Sequence, residues 1–163
     1  MELTPEVLRR AFAAFPSGVT AVAGMIDDHP VGLTASTFTP VSLEPPLVSI
    51  CVARTSTTWP TLRRAPSLGV SVLAAGPGDV ARAMSAKQGD RFAGLDWHAD
   101  ESGAVLVNGS ALWLTCTLEN EFPAGDHEIA LLRIHRLQVF PDVAPLVFHG
   151  SLYRQLAYDD VPI

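Results

Sequence analysis

The chain has 163 residues and a formal net charge of −6, with 48% of its residues hydrophobic and only 17% charged. This length predicts one domain, residues 1–163, and the acidic balance, with a single lysine and no cluster of arginines, argues against binding to nucleic acid. No stretch is long and apolar enough to span a membrane, and the N-terminus lacks a signal peptide's apolar core, so we expect a cytoplasmic protein. The low charge content predicts a homo-oligomer that covers part of the surface.

The first half of the chain predicts two helices and four strands. Thr4-Pro5-Glu6 provides an N-cap, a first-turn proline and an acidic residue, and Pro16-Ser17-Gly18 ends the first helix. The apolar face of that helix consists of Val7, Leu8, Ala11, Phe12 and Phe15. The strands are Val19–Ile26, a strand from Val31, Leu47–Val52 and Leu68–Leu73. Between them we predict the turn Asp27-Asp28-His29-Pro30, the loop Glu44-Pro45-Pro46, and a short helix that Ser56 or Thr57 caps and that runs through Arg64.

The second half predicts one more helix and at least three strands. The helix begins at Gly76-Pro77-Gly78-Asp79 and runs through about Lys87, and Gln88–Gly109 then shows no clear period, as functional loops often do. Strands follow at Ser110–Glu121, His127–Phe140 and Leu146–His149, with a last extended piece at Tyr153–Leu156 and with Phe122–Asp126 and Pro141–Pro145 as loop and turn. About seven strands joined by short turns predict a mainly β protein, a closed or nearly closed antiparallel barrel with two or three flanking helices.

Two clusters of small hydroxyl residues stand on either side of the third predicted strand. They are Thr34-Ala35-Ser36-Thr37 and Arg54-Thr55-Ser56-Thr57-Thr58. Hydroxyl groups and the free N–H groups of a helix start can hold a phosphate, and an adjacent arginine can add a bidentate contact. Threonine and serine are also ordinary strand residues, and Ser56 already has a role as an N-cap. The residues alone therefore leave anion binding and a structural role both open.

The remaining chemistry-bearing residues give one further candidate. The sequence contains no GxGxxG, Walker A or GxSxG motif, and no two of its five histidines have i, i+4 spacing, so we predict no metal site. Cys51 and Cys116 lack CxxC spacing and are expected to be buried, reduced thiols. His127 differs from the other histidines because Gly125-Asp126-His127 places it where a loop meets a strand, a common position for a functional side chain. A structural turn is the alternative for this motif.

Taken in order, these motifs closely resemble those of the flavin reductase-like family of FMN-binding split barrels. The matching pieces run from Phe15 to His127: Phe15–Thr20, Gly32–Phe38, Val41–Val48, Arg54–Thr58, Arg91-Phe92 and Gly125-Asp126-His127. The resemblance implies an antiparallel split β-barrel of Greek-key type with two to three flanking helices, in a homodimer. It also implies hydride transfer from NADH or NADPH to FMN or FAD, and release of the reduced flavin to a partner monooxygenase.

The family's binding residues transfer to this chain position by position. The resemblance implies that Thr34, Ala35, Ser36 and Thr37 line the isoalloxazine edge and that Cys51, Val52, Ala53 and Arg54 lie along the flavin. It implies that Ser56 and Thr58 contact the phosphate with help from Lys87 and Arg91. By the same resemblance, His127 lies near the nicotinamide, where it would position the hydride donor or relay a proton.

The chain departs from the family pattern in two places, and two other functions remain as alternatives. Thr37 replaces a frequent serine but keeps the hydroxyl, whereas His149–Tyr153 shifts a glycine and has Leu152 where a cation is common. One alternative is a non-catalytic flavin carrier or sensor on the same barrel. The other is a protein similar to pyridoxamine-phosphate oxidases, against which the small number of cations argues. The sequence leaves open FMN or FAD, NADH or NADPH, and the identity of the monooxygenase.

Overall fold

The structure of the chain, a computed structural model, describes residues 2–158 and contains mostly β-strands. The predicted domain also includes residue 1 and residues 159–163, which lie outside the described part. The helices are α1 (Pro5–Phe12), α2 (Trp59–Leu62) and α3 (Asp79–Met84). The strands of the first half are β1 (Ser17–Gly18), β2 (Thr20–Ile26), β3 (His29–Ala35), β4 (Thr39–Leu43), β5 (Pro46–Ala53) and β6 (Leu68–Val72). Those of the second half are β7 (Trp97–Ala99), β8 (Val105–Val107), β9 (Leu112–Ala124), β10 (His127–Val139), β11 (Val147–His149) and β12 (Leu152–Arg154).

Seven of these strands form one antiparallel sheet in the order β3-β2-β6-β9-β10-β5-β4. A three-stranded sheet, β1-β11-β12, and the pair β7-β8 complete the strands of the described residues. The prediction of a mainly β fold with antiparallel strands and three helices is therefore confirmed, although about seven strands were expected along the whole chain. In the hydrogen-bonded order β3 and β4 stand at the two ends, so strand pairing does not close the large sheet into a ring.

The third predicted strand is confirmed as the inner part of β5. Val48, Ile50 and Val52 are buried and alternate with more exposed residues, because successive side chains of a strand point to opposite faces. They join the larger of two apolar clusters, in which Leu114, Cys116 and Leu132 of the central strands also lie. Burial raises the pKa of the Cys116 thiol to about 12, so this cysteine stays protonated, in agreement with the buried thiol predicted for it.

Strand β4 was missed, and with it one of the two strands that pair with β5. The sequence analysis gave Thr39–Leu43 no element of its own, yet this segment pairs with β5 through a tight turn at Glu44-Pro45. Pro40 fits there because β4 is the outermost strand of the sheet, where a missing N–H group is tolerated. The strand from Val31 therefore does not pair with β5, and the two lie far apart in the order of the sheet.

The ends of several other strands and helices differ from the predicted ends by a few residues. The turn before β3 contains only Asp27 and Asp28, both at positive φ, so His29 already belongs to the strand. Phe122–Ala124, predicted as loop, continues β9, and the reversal into β10 needs only Gly125-Asp126. Helices α2 and α3 end at Leu62 and Met84, earlier than predicted.

The segment Gln88–Gly109 is less irregular than its sequence suggested. It contains the antiparallel pair β7-β8, and Val105 and Val107 are buried in the second apolar cluster with Phe92. Short strands of three residues do not give a recognisable period, which explains why the pair was not predicted.

The start and the cap of helix α1 were predicted correctly, because the Oγ1 of Thr4 accepts a hydrogen bond from the backbone N–H of Val7 at 3.3 Å. The helix ends at Phe12, however, so Phe15, predicted to belong to its apolar face, lies beyond it. None of its residues is buried, and Phe12 and Phe15 are 68% and 78% exposed. The apolar face of this helix is thus left uncovered within the described chain. No helix between residues 2 and 158 is long and apolar enough to cross a membrane.

Candidate functional site

The largest functional candidate is a cavity of about 730 Å³ between the ends of β3 and β5, the start of α2 and the segment after α3. Twelve of the thirteen predicted site residues line it: Thr34, Ala35, Ser36, Thr37, Cys51, Val52, Ala53, Ser56, Thr58, Lys87, Arg91 and His127. They come from four separate stretches of the chain, so the fold brings together groups that are up to ninety-three positions apart in sequence (34 to 127).

One wall of the cavity follows the chain from β3 towards β5. The Oγ1 of Thr37 accepts a hydrogen bond from the N–H of Cys51 at 2.8 Å and donates one to the carbonyl oxygen of Cys51 at 3.1 Å. This side chain therefore occupies the position that a neighbouring strand would take beside β5. Among the described residues the hydroxyl of Ser36 has no hydrogen-bond partner, and its residue is exposed, so it is free for a ligand.

The opposite end of the cavity contains two hydroxyl groups that each already accept one hydrogen bond. The Oγ of Ser56 accepts from the backbone N–H of Trp59 at 3.1 Å, and the Oγ1 of Thr58 accepts from Nη1 of Arg91 at 3.1 Å. Each hydroxyl is left with its own proton to donate to a ligand oxygen. Ser56 or Thr57 was predicted to cap this helix, but Thr58 stands at the cap position; Ser56 instead accepts a hydrogen bond from the N–H of Trp59, the first helical residue.

Arg91 holds this end of the cavity together. Besides Thr58, it donates from Nε to the carbonyl oxygen of Ala86 and from Nη1 to that of Gly32, each at 2.8 Å. The guanidinium thus joins β3, the start of α2 and the segment after α3. Lys87, an exposed residue on the same wall, adds a cationic group with no ion-pair partner among the described residues.

His127 begins β10 and lies beside Ala53 in the register of the sheet. Its Nδ1 is 2.8 Å from Oδ1 of Asp126. The hydrogen bond with His127 holds the pKa of Asp126 below its usual value, so the carboxylate is ionised and can only accept. Nδ1 must then carry the proton, which leaves Nε2 as the ring nitrogen for a ligand in the cavity.

Arg54 is the one predicted site residue that the structure does not bring into this cavity. It follows the last residue of β5, and its Nε lies 3.8 Å from Oε1 of Glu128 in a neighbouring cavity. Arg54 lies in the turn that follows β5, and there its side chain reaches Glu128 instead of the larger cavity.

Five lining residues were not predicted: Leu33, Thr55, Thr57, Met84 and Ser85. Thr55 and Thr57 belong to the hydroxyl cluster that the sequence had already singled out. Ser85 follows α3 and shares a hydrogen bond between hydroxyl groups with Thr34. A serine close to Lys87 was the only sequence signal for it, and Met84 gave none. No group of three or more residues able to hold a metal ion occurs within residues 2–158.

Comparisons with known proteins agree on one family. The family model described as flavin reductase like domain matches residues 12–157. The chain is 32% identical over 154 residues to the reductase subunit of a flavin-dependent monooxygenase from Mycobacterium tuberculosis, with 93% of this chain and 82% of the relative covered. It is 39% identical over 157 residues to an NADH-dependent FAD reductase from Streptomyces globisporus, with 93% and 86% covered.

Solved structures similar to this chain belong to flavin reductases as well. An NADH:FAD oxidoreductase from Streptomyces globisporus, determined with NAD and FAD fragments, superposes with a TM-score of 0.90 at 37% identity, and 98% of each chain is covered. The flavin reductase component of a bacterial two-component tryptophan halogenase superposes with a TM-score of 0.86 at 33% identity, over 94% of this chain and 98% of the other.

Proposed function

The chain belongs to the flavin reductase-like family, and from that premise we propose how its cavity works. It is an oxidoreductase that reduces a flavin with a hydride from a nicotinamide and supplies the reduced flavin to a flavin-dependent monooxygenase. FMN or FAD is the flavin and NADH or NADPH the donor, and the names of the relatives favour FAD and NADH. The observation that carries the assignment to this cavity is that the predicted ring-binding residues and the predicted phosphate-binding residues line the same cavity.

The residues fit a flavin nucleotide at both ends of the cavity. A flat ring needs small wall residues and hydrogen-bond donors at its edge, which Ala35, Ala53 and Ser36 can provide. A phosphate needs donors and a nearby cation, and the free protons of the Ser56 and Thr58 hydroxyls, together with Lys87, supply them. When bound, the flavin accepts the hydride through its own ring chemistry.

The protein's own contribution is to position groups and to hold a proton at a defined atom. Thr37 fixes the wall from β3 to β5, and Arg91 fixes the hydroxyl of Thr58 at the phosphate end. Asp126 holds the proton of His127 on Nδ1, so Nε2 is available to position the nicotinamide or to relay a proton. Hydroxyl and backbone donors fixed before the ligand arrives stabilise growing negative charge without reorganising.

We also propose that the large sheet curves into a split barrel of Greek-key type. The contact between Thr37 and Cys51 supports this, because it joins the region just after one edge strand, β3, to β5 near the other edge. The single-domain organisation and the cytoplasmic location stay predictions.

We propose a homodimer as the assembly. Four large apolar side chains remain mostly exposed in one chain: Phe12 at the end of α1, Phe15 just after it, and Leu137 and Val139 at the end of β10. A second copy would remove them from water, and obligate interfaces of this kind are large and apolar. Light scattering after size-exclusion chromatography should give the mass of two chains, and a single-chain mass would contradict the proposal.

One assay tests the proposed reaction. Oxidation of NADH and of NADPH should be followed with FMN, FAD and riboflavin in turn, using catalytic amounts of the protein. We expect nicotinamide oxidation that depends on added flavin. A tightly retained yellow flavin without any nicotinamide oxidation would identify a carrier or sensor instead.

A further inference from the structure

A second cavity, of about 440 Å³, adjoins the flavin cavity at the end of β5. The two cavities share Val52, Ala53 and Ser56 as lining residues. Glu128 lines the second one, whereas its neighbour His127 lines the first. Because successive strand residues point to opposite faces, the second cavity lies on the other side of the β5–β10 pair and is reached around the Ala53–Ser56 corner.

Two of its four charged residues are already occupied with each other. Glu121 accepts from Nε1 of Trp59 at 2.8 Å through Oε1 and from Nη2 of Arg63 through Oε2. Both oxygens of this half-buried carboxylate therefore have donors, and the contact anchors α2 to β9. Glu121 and Arg63 form a wall of the cavity and leave the recognition of a ligand to other groups.

Arg54 and Glu128 are the groups that remain available. Their closest atoms, Nε and Oε1, are 3.8 Å apart, and the side chains are 48% and 38% exposed. Neither side chain makes a hydrogen bond within residues 2–158. A guanidinium offers five donors and a flat face for stacking, while a carboxylate accepts from hydroxyl groups. Together with the ring of Pro60, this is a site for a base, a ribose and a phosphate rather than for a simple anion.

We propose that this second cavity binds the adenylate half of a dinucleotide. The proposal rests on the proposed function, since it takes the neighbouring flavin cavity to hold the other half. A phosphate held by Ser56 and Thr58 would stand at the shared corner, and the next phosphate of a pyrophosphate would meet Arg54. Glu128 would accept a hydrogen bond from a ribose hydroxyl and would disfavour a 2′-phosphate at the same place. Arg54 would thus bind a different phosphate from the one first predicted for it.

An adenylate half occurs in both FAD and NADH, and Michaelis constants distinguish the two sources. They should be measured for FMN, FAD and NADH with Arg54→Ala and Glu128→Gln, with Arg64→Ala as the control because it removes an exposed cation outside both cavities. If FAD supplies the adenylate, the KM for FAD rises about tenfold more than that for FMN, the loss expected for one charged contact. If NADH supplies it, the KM for NADH rises with either flavin.

Two further results decide the proposal. Equal effects of both variants on all three Michaelis constants, or effects no larger than those of Arg64→Ala, would overturn it. Calorimetric titration of the wild-type protein with AMP measures binding to this cavity independently of catalysis. We expect AMP to bind, and we expect Arg54→Ala to raise its Kd by about tenfold. If the wild-type protein binds AMP in this way but oxidises no nicotinamide, the proposed function is wrong while the proposed adenylate site is still supported.

Discussion

The hydroxyl of Thr37 makes two hydrogen bonds to the backbone of Cys51, one to its N–H at 2.8 Å and one to its carbonyl oxygen at 3.1 Å. Thr37 lies just after β3, and Cys51 lies in β5, a strand that pairs with β4 and β10 but not with β3. This side chain therefore joins the first hydroxyl cluster to β5, the strand that leads into the second cluster. Thr37 lies two residues before β4, so the contact extends the pairing of β4 with β5.

Replacing Thr37 with Val should weaken both the fold and the site. The variant keeps the shape of the side chain but removes two exposed hydrogen bonds to the backbone of Cys51, and a hydrogen bond contributes about 0.5–1.5 kcal/mol. Urea unfolding should show this loss, and titration of flavin fluorescence should show weaker binding of FMN. Thr37→Ser keeps the hydroxyl and should behave like the wild type, so an equal loss in both variants would contradict the role of the hydrogen bonds.

The phosphate end can be tested with two flavins that differ only in the phosphate. Thr58→Val and Lys87→Ala should each raise the KM for FMN by about three- to tenfold, because each removes one contact to a charged group. Riboflavin lacks the phosphate, so its KM should change much less. Arg136→Ala serves as the control, since it removes an exposed cation from the far part of β10. Equal changes in the KM values for FMN and riboflavin would mean that Thr58 and Lys87 do not bind the phosphate.

His127→Ala should lower turnover much more than flavin affinity. The histidine lines the cavity but is assigned to the nicotinamide or to a proton, so we expect kcat to fall about 10²-fold or more, the usual contribution of a positioned acid or base. Stopped-flow measurements give kcat, and fluorescence titration gives the flavin Kd. His135→Ala, on the same strand and exposed, is the matched control. An equal fall in turnover and affinity would remove His127 from this role.

The lowered pKa of Asp100, a carboxylate outside the candidate site, leads to a prediction of how the stability of the protein changes with pH. Burial raises its pKa, but hydrogen bonds from Ser102, Thr115 and the N–H of Ala104 outweigh burial and hold the pKa below the ordinary 3.8. A lowered pKa in the folded state means that the stabilisation is complete above about pH 4 and is lost as the pH falls through the lowered value. Asp100→Ala should cost about 1–3 kcal/mol at pH 7.

The same variant tests whether Asp100 stabilises the fold less as the pH falls. The difference in unfolding free energy between wild type and Asp100→Ala should be constant between pH 5 and pH 7 and should narrow below about pH 4. Urea unfolding at several pH values measures it. A difference that widened in acid would mean that the carboxylate destabilises the fold.

The sequence predicted well those features that leave a period or a motif. The alternation of Val48, Ile50 and Val52 identified β5, because one of its faces is buried. The Gly125-Asp126-His127 motif singled out a histidine that lines the cavity, and the role of this histidine stays a prediction. Strand β4 left no such trace, since it lies at the edge of the sheet with mostly exposed residues and contains Pro40. Tertiary pairing, not local pattern, makes it a strand.

Arg54 and Ser85 show what the sequence does not reveal about the site. Arg54 stands between cavity residues in the chain, but it lies in the turn after β5, and its side chain lines the neighbouring cavity instead. Ser85 reaches the cavity only because the end of α3 lies against β3, where its hydroxyl meets that of Thr34. Residues that reach a site by the direction of a side chain, or by packing between distant elements, require the folded structure.

The central claim is that this chain passes hydride from a nicotinamide to a flavin bound in the cavity between β3, β5 and α2. Anaerobic mixing of a catalytic amount of the protein with NADH and an excess of FMN or FAD tests it most directly, because without oxygen the reduced flavin accumulates. The account predicts that the yellow colour of the flavin disappears over many turnovers, with one NADH consumed per flavin. Flavin that binds, as its quenched fluorescence would show, and yet stays oxidised with both NADH and NADPH would contradict it.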